Sequence, residues 1–231
     1  METIDTLALT LGAGWAAGIN LYAAILVLGY LGLTGHVALP PGLEVLSDPL
    51  VMGIAGVMYF IEFFADKTPG VDTGWDALHT FIRIPAGALL AAGAAGGFEV
   101  NQAAELAAAL VGGTMAAGSH FTKAGTRLMI NTSPEPVTNW TASILEDLAV
   151  IGGLWAALNY PVAFMLLLLL FLALVIWLLP KILRALKTLL RRIGAFFGSN
   201  LPPDPEDSLR RSDTLKSLFH AANNPDDPSR K

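Results

Sequence analysis

The stretch Val162–Leu179 reads VAFMLLLLLFLALVIWLL, an apolar run without a single charge. A helix that crosses the hydrocarbon core of a bilayer needs about 20 predominantly apolar residues, so this run is long enough for one span. Apolar residues make up 54% of the chain and charged residues 14%, a balance that ordinary soluble domains do not have. The sequence therefore predicts an integral membrane protein whose fold class is all-α and polytopic.

Five further apolar segments bring the predicted number of transmembrane helices to about six. In chain order the spans are Leu7–Leu33, Leu50–Phe64, Trp75–Ala95, Ala103–Ile130, Trp140–Leu158 and Val162–Leu179. The second is short and the first and the fourth are long, which predicts tilt, a kink or a partial break, and a break would be least costly at Gly18-Ile19-Asn20 and at Gly118-Ser119-His120. The N-terminus lacks the basic segment and the cleavage site of a signal peptide, so we expect the first span to be retained.

Two loops repeat one pattern: Ser/Thr-Pro, three residues, Thr, one residue, Trp. They are Thr68-Pro69-Gly70-Val71-Asp72-Thr73-Gly74-Trp75 and Ser133-Pro134-Glu135-Pro136-Val137-Thr138-Asn139-Trp140. Each proline discourages continuation of the preceding helix. Thr73 and Thr138 are predicted N-caps of the next span, and Asp76 nearly completes a capping box after Thr73. Trp75 and Trp140 are expected at the headgroup boundary. The two loops predict an internal repeat built on these structural residues.

Lysine and arginine are confined to one set of connections. The loops His36–Asp48, Gly96–Gln102 and Asn159–Pro161 contain none. The basic residues belong to the opposite set: Lys67, Arg83, Lys123, Arg127, the cluster Lys181–Arg192 and the tail. Because basic loops stay cytoplasmic, we expect a protein of the bacterial inner (cytoplasmic) membrane with both termini and both repeated loops in the cytoplasm.

The chain divides into three predicted regions. Residues 1–180 form the transmembrane bundle, residues 181–198 a basic amphipathic helix at the interface, and residues 199–231 a disordered cytoplasmic tail. One face of the amphipathic helix is basic, with Lys181, Arg184, Lys187, Arg191 and Arg192. We expect this face to contact anionic lipid headgroups.

Ionisable residues recur near the repeated loops, at depths where a charge that faces lipid is costly. Helical spacing places them on shared faces: Glu62 and Asp66 on the second span, Asp76, His79 and Arg83 on the third, His120, Lys123 and Arg127 on the fourth, and Glu146 and Asp147 on the fifth. With Asn20, Lys67 and Asp72 they are the candidate substrate-binding or gating residues. Such residues normally face a bundle interior or a water-filled cavity, which predicts a polar vestibule open to the cytoplasm.

The basic residues and two helix N-termini at this vestibule favour an anion. The leading hypothesis is a transporter or channel for a small anion or a phosphate-bearing solute or lipid. The anion would contact the cationic side chains Arg83, Lys123, Arg127 and protonated His120. The carboxylates would act as counter-charges or proton carriers; they are Glu62, Asp66, Asp76 and Asp147. The acidic residues are numerous enough to neutralise these bases. A fully paired salt-bridge network that only locks the bundle is therefore an open alternative.

Two other functions stay open. One is an intramembrane enzyme that acts on a lipid headgroup, with His79 or His120 as general base. The other is a non-catalytic scaffold that holds a partner with its basic helix and tail. No catalytic residue is assigned, and the sequence favours a role without catalysis. Without cysteine, metal-type histidine spacing or a phosphate loop, it predicts no metal and no cofactor.

The expected partners follow from these observations. They are the lipid bilayer, anionic headgroups at residues 181–192 and a small anionic solute or lipid, with no nucleic acid. Assembly as a homo-oligomer is left open by the sequence.

Three segments resemble a known family. They are Ala17–Ala23, the run Asp66–Asp72 with Trp75-Asp76 and His79–Arg83, and Asn131–Pro136. They are similar to the signature of small bacterial multi-pass inner-membrane proteins known only as a domain of unknown function. The resemblance covers residues 7–158 and leaves the last span and the tail outside. It implies a multi-pass membrane fold and supplies no activity, so it assigns no role to any residue.

Overall fold

The computed structural model describes residues 3–96, 102–131 and 136–196, together with Asp213 and Lys216. These residues form seven helices and confirm the all-α class. The helices are α1 (Thr3–Leu33), a 3-10 helix (Pro41–Ser47), α2 (Pro49–Ala65), α3 (Val71–Ala95), α4 (Gln102–Ile130), α5 (Pro136–Asn159) and α6 (Pro161–Phe196).

Four of these helices are long and apolar enough to cross a membrane. They are α1, α3, α5 and the first half of α6, and a fifth candidate results if the 3-10 helix and α2, bent by 68°, form one span. α4 has sufficient length for a span, but its polar residues keep it outside this set. The chain is therefore a multi-pass membrane protein by length and hydropathy, with four to five candidate spans where the sequence predicted about six.

The predicted helix caps at the repeated loops are wrong. α3 begins at Val71 and α5 at Pro136, so Thr73 and Thr138 lie inside the first turns. In the first loop, Gly70 is the N-cap and has a positive φ of 85°, a conformation that glycine adopts without a Cβ penalty. The Asp72 carboxylate accepts hydrogen bonds from the backbone N–H of Gly70 at 2.9 Å and of Thr73 at 2.6 Å. Asp72 thus supplies the local bonds expected from a threonine cap.

The predicted break in α1 is confirmed at Asn20. This residue has φ −146° and ψ 98°, which separates α1 into two helical halves. Its side-chain Oδ1 accepts a hydrogen bond from Ala23 N–H at 3.0 Å and caps the second half. The second predicted break is wrong, because Gly118-Ser119-His120 is helical within α4, all of whose residues are described.

The first half of α1 runs parallel to α4 and antiparallel to α3. Its residues Thr3–Leu11 share one cleft with Ala95 at the end of α3 and with residues 104–111 at the start of α4. Further along α1, Gly14 lies against Gly112 and Gly87. The start of α1, the end of α3 and the start of α4 therefore lie at the same end of the bundle.

The second half of α1 folds back toward that end. Gly29 lies against Leu46 of the 3-10 helix, whose Gly42 lies against Gly93 of α3. If α1 were straight, Gly29 would lie about 22 Å beyond Gly14 along the helix axis. Measured along the same axis, it would then lie roughly 30 Å from Gly93. The four residues from Gly42 to Leu46 span only about 8 Å in a 3-10 helix. The chain therefore reverses at Asn20, inside the bundle, so α1 is long and apolar enough for a span but begins and ends at the same end of the bundle.

This reversal changes the predicted arrangement of the N-terminus. The repeated loops follow α2 and α4, at the end of the bundle opposite the start of α1. Within the bundle, the start of α1 and the two repeated loops therefore lie at opposite ends, and the side of the membrane that each end faces stays a prediction. The first 33 residues contain no lysine or arginine, so the positive-inside rule does not require the N-terminus to lie on the same side as the basic loops.

α6 continues through Pro180 to Phe196, across the predicted boundary between the last span and the basic helix. The chain forms two compact units, Met1–Leu186 and Lys187–Lys231. In the first unit, Lys181 Nζ lies 3.0 Å from the centre of the Trp177 ring. The side chains of Arg191 and Arg192, and the predicted tail apart from Asp213 and Lys216, lie outside the described residues. Contact of this helix with lipid headgroups stays a prediction.

Candidate functional site

Seven ionisable side chains from α2 and its C-cap, α3, α4 and α5 meet in one group, which we call the ion cluster; six of them are buried and one is partly exposed. It consists of the carboxylates Glu62, Asp66, Asp76 and Glu146 and the cations Arg83, Lys123 and Arg127. The side chains of Arg83 and Arg127 are 0% exposed and that of Lys123 is 2% exposed. The helical stripes predicted from the sequence therefore do converge.

Arg83 lies between two carboxylates. Its Nη2 donates to Glu62 Oε1 at 2.7 Å and its Nη1 donates to Asp76 Oδ1 at 3.0 Å. Glu62 is on α2, whereas Asp76 lies two turns before Arg83 on α3 itself. This arginine thus joins α2 to α3 in the interior of the bundle.

Lys123 is surrounded by all four carboxylates of the ion cluster. Its Nζ lies 2.7 Å from Asp66, 3.4 Å from Glu146, 3.5 Å from Glu62 and 4.0 Å from Asp76. Asp66 follows the end of α2, and although burial alone would raise its pKa, the Lys123 ammonium holds it below the ordinary value. Lys123 is the common partner that holds the cluster together.

Arg127 makes the most complete set of bonds. Its Nε and Nη2 donate to the two oxygens of Glu146 at 3.1 and 2.6 Å, a bidentate pair. Its Nη1 donates to the backbone oxygen of Asp66 at 2.7 Å and to Asn139 Oδ1 at 2.6 Å. The Glu146 side chain is 17% exposed, more than any other member of the cluster. The Arg127–Glu146 pair is therefore its outermost part.

These side chains form a closed network and not the open vestibule that the sequence predicted. The three cations are paired with carboxylates, and six of the seven side chains are 4% exposed or less. The alternative of a salt-bridge network describes this structure better. The physical reason is that each base has an acid within reach on a neighbouring helix.

The pairing leaves four buried polar atoms without a hydrogen-bond partner among the described residues. They are Glu62 Oε2, Asp66 Oδ1, Asp76 Oδ2 and Arg83 Nε. A buried polar atom without a partner costs about 1 to 3 kcal/mol, and more when the group is charged. The cluster therefore carries unused hydrogen-bonding capacity in its interior.

The break in α1 lies directly against this cluster. Lys123 Nζ donates to the backbone oxygen of Ile19 at 3.1 Å, which is one of the carbonyls freed by the break. Asn20 Nδ2 donates to Asp147 Oδ1 at 2.9 Å, and Tyr59 OH donates to Asp147 Oδ2 at 3.1 Å. Asn20, predicted as part of the site, thus links the broken helix to α5 through Asp147.

The hydrogen bonds of the two buried histidines indicate their tautomers. His120 Nδ1 lies 3.1 Å from Arg83 Nη1, and because arginine can only donate, this nitrogen accepts. Its Nε2 lies 2.7 Å from Thr80 Oγ1, so it carries the proton. His79 Nδ1 donates to the backbone oxygen of Trp75 at 2.9 Å, and its Nε2 lies 3.1 Å from Tyr22 OH. With Nδ1 as an acceptor His120 is neutral in this arrangement, and its role as a protonated contact for an anion stays a prediction.

Lys67 lies beside the cluster at the loop end. Its Nζ donates to Ser143 Oγ at 3.1 Å and to the backbone oxygen of Phe63 at 3.2 Å, and it lies over the Phe63 ring. Burial lowers the pKa of this ammonium below the usual lysine value. The two motif tryptophans differ, since Trp75 stacks on His79 with ring centres 4.3 Å apart whereas Trp140 is half exposed.

The two repeated loops meet through residues that the sequence analysis did not select. Asp72 accepts hydrogen bonds from Asn131 Nδ2 at 2.8 and 2.9 Å and from Asn139 Nδ2 at 3.3 Å. Asn139 is fully buried and also accepts from Arg127. Asn131 flanks the second loop and Asn139 belongs to it. Their position at a repeated motif was the signal that could have marked them as site residues. Tyr22 and Thr80 had no such signal.

A metal is not indicated by the described part of the chain. Within residues 3–96, 102–131 and 136–196, no group of three or more histidine, aspartate or glutamate side chains has the geometry of a metal site. Lys123 occupies the space between the carboxylates that a cation would need.

Comparison with known proteins yields a family but no activity. No curated protein and no solved structure matches this chain. One family model matches residues 7–181, which is most of the chain and includes the last span that the resemblance had left outside. The chain therefore belongs to the family described as "Domain of unknown function (DUF4126)".

Proposed function

We propose that this protein is a transporter or channel for a small anion or a phosphate-bearing solute or lipid, and that the ion cluster is its gate. The observation that carries the proposal is the position of the ion cluster, at a break in a helix within a bundle of membrane-spanning helices. Broken helices beside buried ionisable residues are typical of transport sites. Membership of a multi-pass membrane family does not by itself assign this function.

The cost of the cluster argues for a functional role. Burial of six ionisable groups requires a large desolvation free energy, and well-packed apolar residues of similar volume often stabilise a fold as well or better. Four polar atoms of the cluster also lack a partner among the described residues. A purely structural lock would gain from satisfying those atoms, whereas a gate must be able to separate its pairs.

The geometry suggests the order in which an anion would replace the carboxylates. Glu146 is the most exposed member and holds Arg127 through two bonds that a phosphate or carboxylate could also make. Lys123 comes next, and Arg83 is buried between Glu62 and Asp76. An anion that enters from the loop end would therefore meet Arg127 first and Arg83 last.

We propose that this loop end faces the cytoplasm of a bacterial cell. Lys67 and Arg127 of the first unit lie near this end, against Ser143 and against Asp66 and Asn139, and the positive-inside rule then assigns the orientation. The N-terminus would lie on the opposite side, because α1 begins at the other end of the bundle. The predicted internal repeat would correspond to the two units α2–loop–α3 and α4–loop–α5.

A reconstitution experiment tests the proposal. The full chain in liposomes is assayed for uptake of inorganic phosphate, for uptake of acetate and for movement of a fluorescent anionic phospholipid between leaflets. We expect one of the three activities above that of empty liposomes, reduced at least 10-fold by Arg83→Ala and by Arg127→Ala. The exposed Lys216→Ala variant is the control that also removes a positive charge. Activity that both arginine variants retain in full would refute the gate.

The histidine bonds do not favour the enzyme alternative. Each ring nitrogen of His79 and His120 already has a partner, and none of these four partners is a carboxylate. A general base needs a nitrogen that can accept a proton from substrate. The scaffold alternative depends on the basic helix and the tail, so deletion of residues 200–231 separates it from transport, which should tolerate the deletion.

A further inference from the structure

Carboxylates outnumber cations in the ion cluster. Four carboxylates surround three cations, so one negative charge has no partner if all seven groups are ionised. The side chains of Glu62 and Asp76 are 0% and 2% exposed, which removes water as a source of compensation. An uncompensated charge in such an environment is unfavourable by several kcal/mol.

The excess charge belongs to Glu62 and Asp76. Both carboxylates share Arg83 and have only the longer contacts with Lys123, at 3.5 and 4.0 Å. Each also has one oxygen without a hydrogen-bond partner within the described residues, Glu62 Oε2 and Asp76 Oδ2. In contrast, both oxygens of Glu146 accept from Arg127. Asp66 also has an oxygen without a partner, Oδ1, but its Oδ2 has the shortest carboxylate contact with Lys123, at 2.7 Å, and a second contact with Arg127 at 3.6 Å. The Glu62–Asp76 pair is therefore the least compensated part of the cluster.

Other ionisable groups around this pair do not supply the missing positive charge. They come from all five surrounding helices: Tyr22 of α1, Tyr59 and Asp66 of α2 and its C-cap, His79 and Arg83 of α3, His120, Lys123 and Arg127 of α4, and Glu146 and Asp147 of α5. His120 is neutral because its Nδ1 accepts from Arg83. Asp147 adds a further carboxylate, and its two oxygens accept from the uncharged donors Asn20 and Tyr59. Lys67 beside the cluster adds a further cation that interacts first with Asp147, so the excess of one carboxylate remains.

A proton is the ligand that fits this position. The described residues do not form a metal site, and the Lys123 ammonium already lies among the four carboxylates. Two carboxylates that share one site cannot both ionise without a strong mutual penalty, and a single proton removes it. The proton needs no additional space, and a carboxyl oxygen without a partner is available on each residue.

We infer that Glu62 and Asp76 together bind one proton. One carboxylate takes H⁺ from water and becomes a carboxylic acid, and no other bond changes. The proton binding itself depends only on the charge balance of the cluster. Its use as the coupled ion rests on the proposed transport function, because a protonated pair would hold Arg83 more weakly and leave it available to an anion.

Infrared spectroscopy of the purified full chain tests the proton directly. A protonated carboxyl group has a C=O stretching band that is separate from the carboxylate bands and shifts in D₂O. We expect this band in the wild type at neutral pH and its loss in Glu62→Gln and in Asp76→Asn. Either substitution leaves three carboxylates for three cations, so the variant no longer needs the proton. The exposed Glu44→Gln variant should keep the band.

The two substitutions make the test independent of the folding of one variant. If only one gives a monodisperse protein, that variant decides the result. Wild-type protein with ¹³C-labelled aspartate or glutamate carboxyl groups gives a third readout, since the band must shift with one of the two labels. A wild-type spectrum without the band at neutral pH, or a band that both variants retain, would overturn the inference.

Transport measurements separate this inference from the proposed function. A protein that has the proton but moves no tested anion would contradict the transporter and leave the proton site intact. A second outcome is anion transport that a pH gradient across the liposome does not affect, together with an infrared band that both variants retain. This outcome would contradict the proton site and leave the transporter intact. Coupled transport should fall at least 10-fold in Glu62→Gln.

Discussion

The Asp72 carboxylate accepts two hydrogen bonds from Asn131, at 2.8 and 2.9 Å, and thereby connects the two repeated loops. These residues are 59 positions apart in the chain. Asp72 also accepts from the backbone N–H of Gly70 and Thr73, and its side chain is fully buried. The repeated motif therefore serves first to bring two loops together next to the ion cluster.

Asp72→Asn should destabilise the protein without altering its charge pairs directly. The substituted amide has only one acceptor oxygen, so donors that now share the carboxylate lose their partner. Bonds to a charged acceptor contribute about 1.5 to 3 kcal/mol each, and we expect a loss of about 2 to 4 kcal/mol in the free energy of unfolding. Thermal unfolding of the detergent-solubilised protein measures this. The exposed Glu44→Gln variant is the control, and an unchanged melting temperature for Asp72→Asn would contradict the role of this carboxylate.

Two glycines of similar sequence context should respond differently to alanine. A Cβ atom on Gly18 of α1 would collide with Ser119 Oγ and with the backbone of Ala116 on α4. Gly118 of α4 has open space where its Cβ would lie. Gly18→Ala should therefore cost about 1 to 3 kcal/mol through overpacking. Gly118→Ala should be neutral or stabilise by up to about 1 kcal/mol, because alanine favours a helix interior. Equal melting temperatures for the two variants would argue against the close contact of α1 and α4.

Asn20→Ala should weaken the break in α1. The substitution removes the bond to Ala23 N–H, which caps the second half of the helix, and the bond to Asp147. Loss of an N-cap side chain costs about 1 kcal/mol, and the loss of a partner for a buried carboxylate adds to it. Asn159→Ala, at an exposed position at the end of α5, is the matched control. Thermal unfolding should rank Asn20→Ala clearly below this control, and the opposite rank would contradict the assigned role.

The apolar runs and the helical stripes were sufficient to predict most of the helices and the residues of the ion cluster. Arg83, Lys123 and Arg127 could be placed on inward faces because spacing along one helix fixes a face. The partner of each base could not be predicted, because Glu62, Asp66, Asp76 and Glu146 lie on several helices whose packing is not encoded in local spacing. The reversal at Asn20 was hidden for the same reason, since it depends on bonds from α4 to the carbonyls of α1 that the break frees, such as Lys123 Nζ to Ile19 O at 3.1 Å. The caps were missed because glycine at position 70 and a carboxylate at position 72 replaced the expected threonine.

The reversal of α1 predicts which parts of the chain are accessible from each side of the membrane. The protein contains no cysteine, so single cysteines can be introduced into the native sequence. Thr3, Thr34 and Thr68 are all exposed. An impermeant maleimide applied to sealed vesicles of known orientation should label Thr3→Cys and Thr34→Cys from one side and Thr68→Cys from the other. In an unbroken first span, Thr3 and Thr34 would lie on opposite sides, and labelling of Thr3→Cys and Thr68→Cys from the same side would show that α1 crosses the membrane without turning back.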